Sequence, residues 1–288
     1  MMVVSTKENS ELAKSIAKKL KVHYSGLQVK HFPDGELYTR FTKPVKNKKI
    51  ILIQTLYPPN EPILISLLAA YGAKNLGAKK VYLVAPYMAY MRQDKVFNPG
   101  ETISSEIFGE LLSAFDKIIT IDPHLHRHKT LREIFSTKTK KLTANNLIAD
   151  FVKNNFKNPV IIGPDMESNQ WAERIANKTK SKSSIFEKTR FNSKKVSVDI
   201  KNKLELKDRE VIIIDDIIST GHTILEAIKK IEKFKPRSIN VIGIHGIFTD
   251  KKVYESIKKR TKNLITTNTI KSKHSKIDVS SLIAESLK

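Results

Sequence analysis

Cysteine is absent from this chain of 288 residues. That excludes disulfides, thiolate metal sites and a cysteine nucleophile. No run approaches the length of about 18 apolar residues that a membrane span requires, so no membrane partner is expected. Acidic residues are outnumbered, 29 Asp and Glu against 52 Lys and Arg, for a formal charge of +23. Arginine is itself scarce, at nine of those 52. Because arginine is the preferred residue for bidentate phosphate and base contacts, a lysine excess reads as solvated surface. The excess is also evenly spread: residues 1–145 hold 23 basic and 12 acidic side chains, and residues 146–288 hold 29 and 17. No nucleic-acid partner is expected from such a distribution. Residues 1–5 lack a basic region followed by an apolar stretch and a cleavage site, which makes a cytoplasmic location the expectation.

With 40% apolar and 28% charged residues, the chain has a folding composition, and its length suits one large or two medium domains. Short β-branched runs at residues 50–53, 81–84, 118–121, 160–162, 211–214 and 239–242 read as strands. Their near-continuous apolarity suits a parallel sheet covered on both faces. Helical spacing falls between them. Asn9 or Ser10 is positioned to cap a helix carrying Leu12, Ile16 and Leu20, and residues 62–76 are apolar and alanine-rich. Ile107, Leu111 and Phe115 share a helical face, as do Trp171 with Ile175, and Ile224, Ile228, Ile231 with Phe234. The alternation is α/β and occurs in two series, which places a boundary near residue 146 and gives domains 1–146 and 147–288. A strand runs into an acidic residue in each half, at Ile121-Asp122 and Ile214-Asp215, which hints at a duplicated architecture. Residues 276–288 read as a helix that packs on either domain.

One string carries the most chemistry. The strand at 211–214 runs into Asp215 and Asp216, and then Ser219, Thr220, Gly221, His222 and Thr223 open a helix. Ligands of open α/β sheets sit outside the carboxyl ends of strands. Backbone amides at a helix start, with nearby hydroxyls, make a phosphate cradle. Two carboxylates beside it suit a sugar diol or a divalent cation. A pentose phosphate satisfies both parts.

This string resembles the phosphoribosyl-binding loop of phosphoribosyltransferases and of ribose-phosphate diphosphokinases. Further segments resemble the diphosphokinases in particular. Phe32-Pro33-Asp34-Gly35-Glu36 is similar to their nucleotide-base segment, often supplied by a neighbouring subunit. Arg92-Gln93-Asp94 resembles their ATP-contacting segment, and Asp122-Pro123-His124 resembles the element whose histidine helps bind magnesium and phosphates. Asp165, after Gly163-Pro164, matches the aspartate on the ribose-phosphate side, and Lys188 with Arg190 resembles the pair on the catalytic loop. The resemblance runs through most of the chain. It implies two similar phosphoribosyltransferase-like domains, an enzyme that converts ATP and ribose 5-phosphate to AMP and 5-phosphoribosyl 1-diphosphate, and a homodimer or higher homo-oligomer. It further implies Mg2+ as cofactor, with His124, Asp165, Asp215 and Asp216 as its candidate ligands. His124, His126 and His128 also alternate, a spacing open to zinc, but the absence of cysteine and of a further ligand cluster weighs against it.

The chain departs from the family pattern in places. Ser219 stands where an aspartate is common, as in archaeal members, and His222 replaces a small residue in the phosphate loop. Met166-Glu167-Ser168-Asn169 replaces a glycine-containing turn. Two alternatives stay open at this level: a phosphoribosyltransferase acting on a nucleobase, and a non-catalytic homologue that scaffolds active subunits. The first leaves residues 92–94 and 32–36 without work. The second predicts broken acidic or Lys-x-Arg elements, and these are intact.

Overall fold

The structure, a computed structural model, describes the chain except residues 126, 167, 193, 194 and 201–205, and describes residues 185–192 and 195–200 by backbone alone. Two compact units divide it: Met1–Thr143 with Val279–Lys288, and Ala144–Asp278.

Unit 1 holds β1 (Met2–Ser5), α1 (Ser10–Leu20), β2 (His23–His31), β3 (Leu37–Phe41), β4 (Lys49–Ile53), α2 (Asn60–Asn75), β5 (Lys80–Ala85), α3 (Ser104–Leu111), β6 (Lys117–Ile121) and β7 (Lys138–Leu142). Unit 2 follows with α4 (Asn145–Asn155), β8 (Val160–Gly163), α5 (Asn169–Thr179), β9 (Lys182–Asn192), β10 (Lys195–Ile200), β11 (Glu210–Ile218), α6 (His222–Glu232), β12 (Ser238–Gly246), α7 (Lys251–Arg260), β13 (Asn263–Thr267) and β14 (Ser275–Ile277). The last helix, α8 (Ser280–Leu287), returns to unit 1, where it packs on α1 and Ser15 Oγ donates to Ser280 Oγ at 2.9 Å. The stretch at 276–288, expected to be one helix, therefore divides into the end of a strand of unit 2 and a helix of unit 1.

Each unit is a seven-stranded sheet, ordered β3-β2-β1-β4-β5-β6-β7 and β10-β9-β8-β11-β12-β13-β14. The two orders are the same when strands are counted from the start of each unit. All pairs are parallel except the hairpins β2–β3 and β9–β10. The duplicated architecture is thus present, but the expected correspondence is not: β11 is the counterpart of β4, whereas β6 corresponds to β13. Ile121-Asp122 and Ile214-Asp215 do not occupy equivalent places.

Central strands form where β-branched residues run without interruption, since both faces are covered. In unit 2, Val160 and Ile162 of β8, Val211 and Ile213 of β11, and Val241 of β12 pack with Ile224, Ile228 and Ile231 of α6 and with Val253 and Ile257 of α7. Each such side chain contributes roughly 1.5–3 kcal/mol through burial. Phe234 falls outside α6 and is exposed.

Two expectations for helices need correction. Asn9 stands at the N-cap position of α1, but its side chain does not cap; it accepts from the Thr55 N–H at 3.0 Å and donates to Thr6 Oγ1 at 3.1 Å. Ile107 and Leu111 are exposed on α3, while Phe108, Gly109 and the following Leu112 are buried. The helix stops at Leu111 and tightens into a 3-10 turn, so the apolar spacing through Phe115 never becomes one face.

Gly109 lets α3 approach the segment after β6, because a Cβ there would lie 2.1 Å from the Ile134 carbonyl oxygen. Gly109→Ala should therefore destabilise by about 2 kcal/mol, within the usual cost of overpacking. An unobstructed helix interior would instead gain about 1 kcal/mol from the same change. The urea midpoint decides between the two signs.

Candidate active site

The strand β11 does not end at Ile214, as the apolar run suggested; it continues in register with β12 to the pair Ile218–Gly246. Asp215 and Asp216 therefore lie inside the strand, 8% and 5% exposed. The Asp216 N–H donates to Asp215 Oδ1 at 3.0 Å, and the Ile217 N–H donates to Asp216 Oδ1 at 2.8 Å. Burial pushes the Asp215 carboxyl well above the usual carboxylate range, and the nearby charges of Asp216 and Asp165 push it further. Asp165, half-buried, follows β8 in a turn locked by Ser168: the Ser168 N–H donates to Asp165 Oδ1 at 2.9 Å and the Asp165 N–H donates to Ser168 Oγ at 3.1 Å. The turn formed by residues that depart from the family pattern is thus closed by a serine.

Strand order reverses between β8 and β11, so these three aspartates flank the crevice where open α/β sheets bind ligands. The equivalent point in unit 1, between β1 and β4, carries no aspartate; the loop after β1 runs Thr6-Lys7-Glu8-Asn9. There Asn9 joins Thr6 and Thr55, and Gln54 is buried beside them in sequence.

The phosphate-loop candidates come next along β11. Gly221 is the N-cap of α6 at φ 88°, and a Cβ there would meet Ile257 Cδ1 of α7 at 2.8 Å. No side chain caps the first turn of α6, so its amides remain directed at whatever the loop encloses. Thr220, His222 and Thr223 are exposed, and Ser219 is half-buried. Thr249 fastens the loop from behind, its N–H donating to the Ser219 carbonyl at 3.0 Å. The bulk of His222 is accommodated because the ring turns toward α7, with Nε2 at 3.6 Å from Asp250 Oδ2. Lys188 and Arg190 belong to β9, opposite Val198 and Val196 of β10, and their side chains lie outside the described residues.

In unit 1 the nucleotide candidates sit on loops at the carboxyl edge and on the β2–β3 hairpin. Phe32, Asp34 and Glu36 are exposed in the hairpin turn, closed by the Phe32 N–H to the Glu36 carbonyl at 2.8 Å, and Phe32 packs edge-on to Tyr38. Arg92 is exposed after β5. The Gln93 Nε2 donates to Glu101 Oε2 at 3.2 Å. Asp94 is 7% exposed and accepts from Arg127 Nη1 at 2.6 Å, so its carboxylate faces a residue of the chain. His124 is half-buried after β6. Sequence reasoning missed Arg127, since a partner 33 residues away leaves no local signal. His126 lies outside the described residues; His128 Nδ1 is 3.3 Å from Glu133 Oε2.

Among the described residues no group of three or more His, Asp or Glu forms a ready metal cage. The donor set nevertheless fits magnesium, which is commonly held by one or two carboxylates with substrate oxygens and water completing the shell. Asp165, Asp215 and Asp216 offer hard oxygen donors, and their mutual repulsion is relieved by a cation.

A glycine-opened helix start beside an acidic pair, at the reversal point of a parallel sheet, is the arrangement of a phosphoribosyltransferase-like domain. Residues 1–115 match the N-terminal domain of ribose phosphate pyrophosphokinase, and residues 131–282 match the phosphoribosyl transferase domain. The chain is 30% identical over 289 residues to a ribose-phosphate pyrophosphokinase of Methanothermobacter thermautotrophicus, covering all of both chains. It is 33% identical over 263 residues to one of Pyrococcus furiosus, covering 91% of this chain and 92% of that one. A phosphoribosylpyrophosphate synthetase from Mycobacterium smegmatis shares the fold, with a TM-score of 0.84 at 22% identity, covering 99% of this chain and 97% of that one. The chain belongs to the ribose-phosphate pyrophosphokinase family.

The raised Asp215 carboxyl costs stability at neutral pH. Its folded pKa exceeds an unfolded value of about 3.9, so folding takes up a proton between the two, and stability falls as pH rises through that window. Asp215→Asn should raise the melting temperature at pH 8 by a few degrees, about 1 kcal/mol or more, and the difference should fade toward pH 4. Melting curves across that range provide the check.

Proposed function

We propose that this chain transfers the diphosphoryl group of ATP to the C1 hydroxyl of ribose 5-phosphate, releasing AMP and 5-phosphoribosyl 1-diphosphate. The observation that carries the reading is the three carboxylates at the reversal point of unit 2, Asp215 and Asp216 on β11 with Asp165 nearby, beside a helix start opened by Gly221. A sugar phosphate needs both parts. The names of the relatives support the same reaction.

The C1 oxygen attacks the β-phosphorus, and the bond from that phosphorus to the oxygen bridging the α-phosphate breaks. AMP leaves with the bridging oxygen, and the hydroxyl proton passes to solvent. Such a transfer needs in-line placement and cancellation of phosphate charge more than a covalent intermediate. Asp215 and Asp216 accept hydrogen bonds from the ribose hydroxyls, and Asp165 adjoins them. Residues 219–223 hold the 5-phosphate through the amides at the start of α6. Arg92, Gln93 and His124 serve the ATP phosphates, with Phe32, Asp34 and Glu36 toward the base. Lys188 and Arg190 offset charge on the transferred group. Magnesium, when bound, would supply charge neutralisation; Asp165, Asp215 and Asp216 in unit 2, and separately His124 in unit 1, are the residues that would hold it. A homodimer or higher homo-oligomer acting in the cytoplasm completes the reading; among the described residues no helix is long and apolar enough to cross a membrane.

An assay with ATP, Mg2+ and ribose 5-phosphate, resolving AMP from ADP, tests the reaction. AMP equal to the diphosphate product is expected; ADP would indicate an ordinary kinase, and a requirement for a nucleobase a transferase. Lys188→Ala should lower turnover on the order of 100-fold while changing the KM for ribose 5-phosphate little. Near-normal turnover of that variant would remove the lysine from the mechanism.

A further inference from the structure

The loop after β6 carries an arginine to which no motif assigns a role. Arg127 reaches from that loop to the loop after β5, where its Nη1 donates to Asp94 Oδ1 at 2.6 Å. The two side chains differ in exposure, 3% for Asp94 against 45% for Arg127. Here the guanidinium keeps nearly half its surface outside. Asp94 is its only hydrogen-bond partner among the described residues, so most of its five N–H groups face outward.

Ring and hydrogen-bond contacts lie on both loops around it. The guanidinium lies 5.4 Å from the centroid of the Phe97 ring, which also carries the Lys95 ammonium at 4.8 Å. Phe97 is held in turn by Glu101, which accepts its N–H at 2.7 Å together with the Asn98 N–H and side-chain amide. Beyond Arg127, Glu133 collects the Lys129 and Thr130 N–H groups at 3.3 and 3.2 Å. Asp94 is engaged by Arg127, and Glu101 and Glu133 largely by amides. Arg92, Lys95, Arg127 and Lys129 stand on the same two loops, all four exposed. β5 and β6 are register neighbours up to Ala85–Thr120, so both loops leave the same carboxyl edge of the sheet.

We propose that Arg127 is a further phosphate-binding residue, presenting the outer edge of its guanidinium to the polyphosphate of ATP, with Asp94 as its positioning residue. A fixed planar fork suits a phosphate chain better than a mobile ammonium does. The proposal rests on the reading that unit 1 serves ATP through Arg92.

The test compares Arg127→Gln, Arg127→Lys, Asp94→Asn and Arg92→Gln in the full chain with Mg2+, reading both KM values, kcat and the melting temperature. Arg127→Gln should raise the KM for ATP about tenfold and leave that for ribose 5-phosphate within about twofold. Arg127→Lys should fall between wild type and Arg127→Gln. Asp94→Asn should shift the ATP KM in the same direction, and the Asp94→Asn, Arg127→Gln double variant should be no worse than Arg127→Gln alone. A folded Arg127→Gln with unchanged ATP KM, while Arg92→Gln raises it, overturns the proposal and leaves the arginine a counter-ion. An ATP KM unchanged in Arg92→Gln as well overturns the underlying reading of unit 1. Should Arg127→Gln fail to fold, a wild-type ATP KM in Arg127→Lys overturns the proposal.

Discussion

Carboxylates held against one another away from water set the terms for unit 2. Asp215 is buried beside Asp216 and near the charge of Asp165, and burial and these charges together push its carboxyl well above the usual range. Only a well-anchored backbone can impose such an arrangement, and the anchoring is visible. Val211, Ile212, Ile213 and Ile214 are fully buried, β11 is paired on both sides, and its bonding to β12 runs on past the aspartates. The hydrophobic strand holds the acidic one in place because they are one strand. The unfavourable charge is then available to a cation or to sugar hydroxyls that relieve it.

The duplication makes the same point by contrast. Two sheets of identical strand order offer two equivalent crevices, yet one carries three aspartates and the other none, with Lys7 and Glu8 between Thr6 and Asn9. Fold alone does not distribute function between them; the residues at the reversal point do. Around the acidic crevice the supports are local and specific. Ser168 closes the Asp165 turn, Thr249 fastens Ser219, and Gly221 allows α6 to start against α7. His222, a bulky residue in a loop that usually has a small one, fits because its ring is directed to Asp250.

What could be read in the sequence followed burial on two faces. Residues 160–162 and 211–214 declared themselves as strands because nothing polar interrupts them, and the helix at 222–232 did so by its isoleucine spacing. Strands such as β3, Leu37–Phe41, and β7, Lys138–Leu142, carry lysine, arginine and threonine at the sheet margins and give no such signal. The spacing of Ile107, Leu111 and Phe115 misled because a helix end and a 3-10 turn intervene. The acidic pair and the glycine after it were legible as chemistry, but the strand's continuation through them was not, since that depends on pairing with residues about 28 positions later, as in Asp215 opposite Gly243. The pairing of Asp94 with Arg127 is likewise a product of the fold.

The central claim is that the strained carboxyl of Asp215 is the group that substrate and metal relieve. Carboxyl carbon NMR of aspartate-labelled protein measures this directly by titrating Asp215 with and without Mg2+ plus ribose 5-phosphate. The account predicts a carboxyl well above the ordinary range in the protein alone, falling toward that range when both ligands are added. A carboxyl that titrates normally in the protein alone, or one that stays raised at saturating ligand, would contradict it.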